Sequence, residues 1–206
     1  MDTQTIIQGI NGNCGDLARI GIITFSDRAS SGEYQDEGGP AILQFFKEAI
    51  VSPLEINYSC IADEQTMIER EIIQMCDDLG CSVVVTTGGT GPASRDVTPE
   101  ATAAVCDKIL DGFGEQMRAI SLQYVPTAIL SRQIGGIRGS CLVFNLPGRP
   151  KSIRETIDEI WDGLGFCMRG GKGMPKNFNS SKDKKIIEPW TKYSSIKYRG
   201  ALSVRY

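Results

Sequence analysis

The chain has 206 residues, 41% hydrophobic and 23% charged, a composition that fits one α/β domain with a sizeable core. The formal net charge of −3 is unevenly spread: Trp161 to Tyr206 carry 10 Lys and Arg against 3 Asp and Glu, and the preceding 160 residues carry 12 against 22. There is no histidine, which excludes the commonest general base, Ser-His and Cys-His nucleophile pairs and imidazole-ligated metals.

No apolar run approaches the roughly 18 residues of a membrane span. The start, "MDTQTIIQGINGNCGDLARI", lacks the basic-then-apolar order of a secretory signal, so a cytoplasmic location is expected. Seven scattered cysteines without a C-x-x-C pair (Cys14, Cys60, Cys76, Cys81, Cys106, Cys141 and Cys167) argue against a disulfide framework or a structural zinc site.

In chain order, "RIGIITF" from Arg19 to Phe25 reads as a buried strand ending in Ser26 and Asp27. Pro40 suits the first turn of a helix to about Ala49, with Ile42, Leu43, Phe45 and Phe46 as its apolar surface. "LEINYSCIA" reads as a second strand. Asp63 then opens an amphipathic helix with Ile68, Ile72, Met75, Cys76 and Leu79 at helical spacing. Ser82 to Thr87 is a short β-branched run suited to the middle of a sheet. Thr98-Pro99-Glu100 has the order of cap, first position and first-turn acid. A further helix covers about Phe113 to Tyr124, "SCLVFN" is another buried strand, and Ser152-Ile153-Arg154-Glu155 has capping-box spacing. This alternation predicts an α/β fold: a mostly parallel sheet with helices on both faces, and ligands beyond the carboxyl ends of the strands. The polar loops from Ser26, Gly88 and Leu146 are expected to converge there.

One of those loops, "TTGGTGPASRDVTPEAT", carries the chemistry. Gly88, Gly89 and Gly91 allow backbone N–H groups to face one concavity, and the helix after them adds its N-terminus, making an anion cradle. It is neither a Walker A loop nor a dinucleotide fingerprint; by themselves such glycines also serve as plain turns. Arg95 fits a phosphate bidentately, whereas Asp96 beside an anion calls for an intervening cation, which suggests Mg²⁺. Asp96 alone could equally be a turn residue bonding its own backbone, and Asp63 an ordinary helix cap. Asp27 could form an Asx-turn. Lys151, in "NLPGRPKS", could be solvated or could reach a phosphate.

Four blocks, "GIITFSDRASSGEYQDEGGPAI", "TTGGTGPASRDVTPEAT", "GFGEQMR" and "NLPGRPKSI", resemble the bacterial molybdopterin adenylyltransferases, the Mog-type family of molybdenum cofactor synthesis. They are also similar to the G domain of gephyrin. The resemblance runs from about Arg19 to Ile160 and implies a three-layer α/β fold, a homotrimer, and use of Mg²⁺ and ATP. The implied reaction adenylylates the terminal phosphate of molybdopterin, releases pyrophosphate, and hands the activated pterin to a molybdenum-inserting partner enzyme. It implies catalytic roles for Asp63 and Asp96; from the chemistry of these residues, Mg²⁺ is expected on Asp96, alone or together with Asp63. Gly88, Gly89, Thr90, Gly91 and Ser94 match its phosphate-binding loop; Ser26, Asp27, Asn145, Pro147, Gly148 and Lys151 match positions lining its pocket. No nucleic-acid or membrane partner is expected. A molybdotransferase-like enzyme and a non-catalytic molybdopterin-binding scaffold are the alternatives. Residues 1–18 are read as an N-terminal extension, 19–160 as the Mog-like domain, and 161–206 as a divergent basic segment.

Overall fold

The structure, a computed structural model, describes residues 4–8, 17–50 and 53–170, with side chains described as far as Trp161. Most of the basic C-terminal segment therefore lies outside the described residues. Strands β1 (Gln4–Gln8), β2 (Ala18–Phe25), β3 (Leu54–Ile61), β4 (Val83–Thr87), β5 (Lys108–Ile109), β6 (Gly135–Arg138) and β7 (Cys141–Leu146) form one sheet in the order β1-β3-β2-β4-β7-β6-β5. The four central strands, β3, β2, β4 and β7, are parallel. Both edges are antiparallel. The expected parallel sheet is thus its centre. At one edge β6 and β7 are joined by a tight turn at Gly139, which needs no crossover helix.

Val83, Val84 and Val85 show why the middle strand reads as a continuous apolar run. Val83 and Val85 enter one core and Val84 the other, so both faces of β4 are covered. On the first face lie α2 (Gly38–Ala49), α5 (Asp111–Leu122) and α6 (Pro150–Gly170); on the second lie α3 (Gln65–Ile73) and α4 (Thr98–Val105). Three layers result. In α2 the buried residues Ile42, Phe45, Phe46 and Ala49 follow helical spacing. Trp161 of α6 is buried against the rings of Phe45 and Phe46, with centroids 5.2 and 6.3 Å away. Each such aromatic burial contributes roughly 2–3 kcal/mol. Trp161, placed at the start of the basic segment by composition, is a core residue, and α6 continues past it to Gly170.

Three helix starts differ from the sequence reading. The second helix opens at Gln65 with Glu64 in the cap position, so Asp63 stands outside it. Val97, without a side-chain capping bond, precedes α4, and Thr98 is its first residue. The last helix starts at Pro150, before the Ser152 capping-box pattern; proline has no N–H to leave unbonded at that position. Three strands escape the sequence reading: β1, which joins the supposed extension to the sheet edge, the two-residue β5, and β6, whose "GGIR" has no apolar alternation. Among the described residues no helix is long and apolar enough to cross a membrane. Cys60, Cys76, Cys81, Cys106 and Cys141 are free thiols.

Candidate active site

Parallel register places the ends of four strands side by side: Phe25 pairs with Ile61, Thr24 with Thr87, and Thr87 with Leu146. The chains continuing from Ser26, Ala62, Gly88 and Pro147 therefore leave the sheet at one edge and converge, as expected for this topology. Gly88 is the meeting point. With φ of 100°, it lies so close to β2 that an added Cβ would come 2.2 Å from the Phe25 carbonyl oxygen. On its other side, a Cβ on Gly148 would be 3.7 Å from the Gly88 Cα.

From Gly88 to Gly91, the bonds found among the described residues all fall on the carbonyl side. The Thr98 hydroxyl donates to the Gly88 carbonyl at 3.0 Å, and the Thr98 N–H to that of Gly89 at 3.1 Å. The Arg132 N–H donates to the Thr90 carbonyl at 2.9 Å and its Nε to that of Gly91 at 2.7 Å. Among the described residues, no acceptor meets the N–H groups of Gly88, Gly89, Thr90 or Gly91. Four adjacent amides without acceptors beside a helix start are an arrangement suited to an anion.

Two carboxylates approach the glycines of this loop closely. A Cβ on Gly89 would lie 3.0 Å from Oδ1 of Asp63, and one on Gly91 would lie 2.8 Å from Oδ2 of Asp96. Asp63 is held by a reciprocal clasp rather than by a cap: the Asp27 N–H donates to Asp63 Oδ2 at 3.2 Å, and the Asp63 N–H to Asp27 Oδ1 at 3.1 Å. Asp96 Oδ2 accepts the Ala93 N–H at 3.0 Å, so its turn role is real and occupies one of its two oxygens. No described group donates to Oδ1 of either Asp63 or Asp96.

Arg95 does not point at the amides. Its Nε and Nη2 clasp both oxygens of Asp27 at 3.0 Å, and Nη1 meets Glu64 at 2.8 Å. These bonds draw the β2, β3 and β4 loops together. The Arg95 guanidinium and the Asp63 N–H hold the Asp27 carboxyl below its usual range. Burial pushes the Asp63 carboxyl above its ordinary 3.8, with the charges of Asp27 and Asp96 acting in the same direction.

A raised folded-state carboxyl value has a definite sign. Asp63's contribution to stability is present below 3.8 and is lost as pH rises through its folded value. Asp63→Asn, measured without divalent cations, should therefore melt no lower than the parent at pH 7. The variant's advantage should shrink as the pH falls toward 3.8. Calorimetry at the two pH values checks this; a clearly lower Tm at pH 7 would contradict it.

The remaining candidates separate by position. Ser26 Oγ accepts the Ala29 N–H at 3.2 Å and caps the short helix α1 (Asp27–Ser30). The Pro147 carbonyl accepts the Thr87 hydroxyl at 2.8 Å, fixing the β7 loop against β4. Ser94 is exposed in the loop. Lys151 lies in the first turn of α6, its side chain 87% exposed and 3.8 Å from Glu155. Asn145 does not line the hollow. It is fully buried, donating to Thr86 and Thr102 hydroxyls at 3.0 and 2.9 Å and accepting the Ile134 N–H, so it ties β7 to β4 and α4 from beneath. Sequence reasoning missed Arg132 and Asp36. Asp36 accepts the Tyr58 hydroxyl at 2.6 Å, the Thr24 hydroxyl at 2.8 Å and the Gly38 N–H at 2.9 Å, and its place before Gly-Gly-Pro was a readable capping signal.

The donor set can be tested against Mg²⁺. Among the described residues no group of three or more acidic or thiol side chains could hold an ion alone. Magnesium, however, takes one or two carboxylates and completes its shell with phosphate and water oxygens. Asp63, whose open Oδ1 lies beside Gly89, and Asp96, whose Oδ1 takes no donor among the described residues, fit that shared arrangement.

A three-layer α/β protein with a glycine loop of acceptor-free amides at the ends of its parallel strands is the class that the fold defines. Residues 21–164 match the family described as "Probable molybdopterin binding domain", and the chain belongs to that family. It is 55% identical over 149 residues to a protein of Helicobacter pylori (strain J99) named molybdopterin adenylyltransferase, covering 72% of this chain and 85% of that one. An Escherichia coli (strain K12) protein of the same name is 55% identical over 147 residues, covering 71% and 75%. Among solved structures, the molybdopterin biosynthesis enzyme MoaB of Thermus thermophilus is similar with TM-score 0.69 and 38% identity, over 77% of this chain and 98% of that one.

Proposed function

We propose that this chain is a molybdopterin adenylyltransferase of molybdenum cofactor biosynthesis, transferring AMP from ATP to the terminal phosphate of molybdopterin. The observation that carries this reading is the row of four acceptor-free amides flanked by Asp63 and Asp96. The names of relatives at 55% identity support it.

The chemistry suits a chain without histidine. A phosphate oxygen of the pterin, already ionised at neutral pH, forms the new bond to the α-phosphorus of ATP as the α–β bridging bond breaks. Pyrophosphate leaves with the electron pair, so no strong base is required. The residues' task is to align two polyanions and to stabilise charge on the departing group. Amides of Gly88 to Gly91 hold phosphate oxygens, and Lys151 is free enough to reach one. Arg95 can do so only by exchanging Asp27 or Glu64 for the ligand. Mg²⁺, held by Asp96 with Asp63, would neutralise phosphate charge when bound. Asp27 orients Asp63 through the reciprocal clasp.

The protein acts in the cytoplasm as a homotrimer and passes its product to a molybdenum-inserting enzyme. Exposed Leu122, Tyr124, Ile129 and Leu130, clustered at the end of α5 and the following turn, support self-association. Incubation with molybdopterin, ATP and Mg²⁺ should release pyrophosphate without molybdate, and EDTA should stop it. A product formed only with molybdate would instead indicate a molybdotransferase. Tight pterin binding without turnover would indicate a scaffold.

A further inference from the structure

We propose that Arg132 is a positioning residue for this site: it holds the carbonyl side of the glycine loop so that the amide side stays open to phosphate. The proposal rests on the functional reading above and deepens it. Arg132 reaches the loop from the segment before β6, and four bonds converge on it. Its N–H donates to the Thr90 carbonyl at 2.9 Å and its Nε to the Gly91 carbonyl at 2.7 Å. One terminal nitrogen donates to the Asp96 carbonyl, and the other pairs with the Glu100 carboxylate.

In a trans peptide the C=O and the following N–H point in opposite directions. Fixing the Thr90 carbonyl outward therefore directs the Gly91 N–H inward. Thr98 does the same for the amides of Gly89 and Thr90 through the carbonyls before them. The guanidinium adds what main-chain bonding lacks. By gripping Gly91 and Asp96 it ties the two ends of the intervening turn, and so sets the place from which the Asp96 carboxylate projects. Only a planar fork of several donors with no acceptor can take two carbonyls and a carboxylate at once; a lysine ammonium is a point charge on a flexible stem. The side chain remains 37% exposed, so it is not there to fill a core.

Two measurements on the full chain test this. In the first, Arg132→Ala should lower kcat/KM for adenylyl transfer on the order of 100-fold. Arg132→Lys should lose less, and added methylguanidinium should recover part of the alanine variant's rate. The second does not depend on turnover. Inorganic pyrophosphate, titrated against labelled protein, should shift the amide resonances of Gly88, Gly89 and Gly91 in the parent. It should do so with at least about tenfold weaker affinity in either variant. If Arg132→Ala does not fold, Arg132→Lys supplies the same comparison. Parent-like pyrophosphate affinity together with kcat/KM within about threefold of the parent would overturn the role of Arg132. If the parent amides respond but no adenylyl transfer occurs, the reaction assigned above is wrong and Arg132 is judged on pyrophosphate affinity alone. Parent amides that ignore both pyrophosphate and ATP would overturn both.

Discussion

Asp96→Asn should reduce pyrophosphate release on the order of a hundredfold or more while leaving the fold and pterin binding intact. The side chain's structural duty is a single accepted bond, from the Ala93 N–H to Oδ2, and an asparagine oxygen can accept the same bond. What the substitution removes is the negative charge beside the amide row. If that charge anchors a cation shared with phosphate, its loss acts where charge develops on the leaving pyrophosphate, and kcat falls more than substrate affinity. Loss of a neighbouring charge should also ease ionisation of Asp63, which Asp96 helps hold up. Steady-state kinetics beside a melting curve reads both effects. Undiminished turnover in the variant would remove Asp96 from the machinery.

Gly88→Ala should be damaging in both stability and rate. The residue has φ of 100°, and the new Cβ would meet the Phe25 carbonyl oxygen at 2.2 Å, a main-chain atom that no rotamer change can move. Backbone strain alone costs about 1–3 kcal/mol, and relief of the clash must part β2 from β4 where their loops begin. Gly139 is the control. It too has positive φ, 57°, but an added Cβ there meets nothing within 4 Å. Gly139→Ala should cost about 1–2 kcal/mol and spare turnover. At 2–4 °C per kcal/mol for a chain of roughly this size, the two substitutions separate in a thermal melt. Equal losses in both would show that the approach of Gly88 to Phe25 is unimportant.

Much of this site is legible in the chain itself. β-branched runs mark the central strands, and their alternation with helices implies loops gathered at one edge. Glycines and acids in the Gly88 loop then name the chemistry. What escapes has particular physical reasons. Arg132 acts on backbone carbonyls, which every residue carries, so nothing in its own neighbourhood advertises the contact. Asn145 sits in a motif beside the hollow, but motif membership does not reveal which way a strand residue faces; the hydroxyls of Thr86 and Thr102 claim its amide. Arg95 reads as a phosphate ligand from its charge, whereas Asp27 and Glu64 stand nearer. Asp63 looks like a cap because it precedes a helix, yet its bond crosses to another loop.

The clasp between Asp27 and Asp63 joins residues 36 apart in sequence, the Thr87–Pro147 bond spans 60, and the Arg95–Asp27 pair spans 68. Such long-range pairing is closed late and slowly in folding, because loop entropy must be overcome before any contact repays it. The complete set of contacts needs the loops after β2, β3, β4 and β7 together, so a fragment that lacks one of these strands lacks part of the site's support.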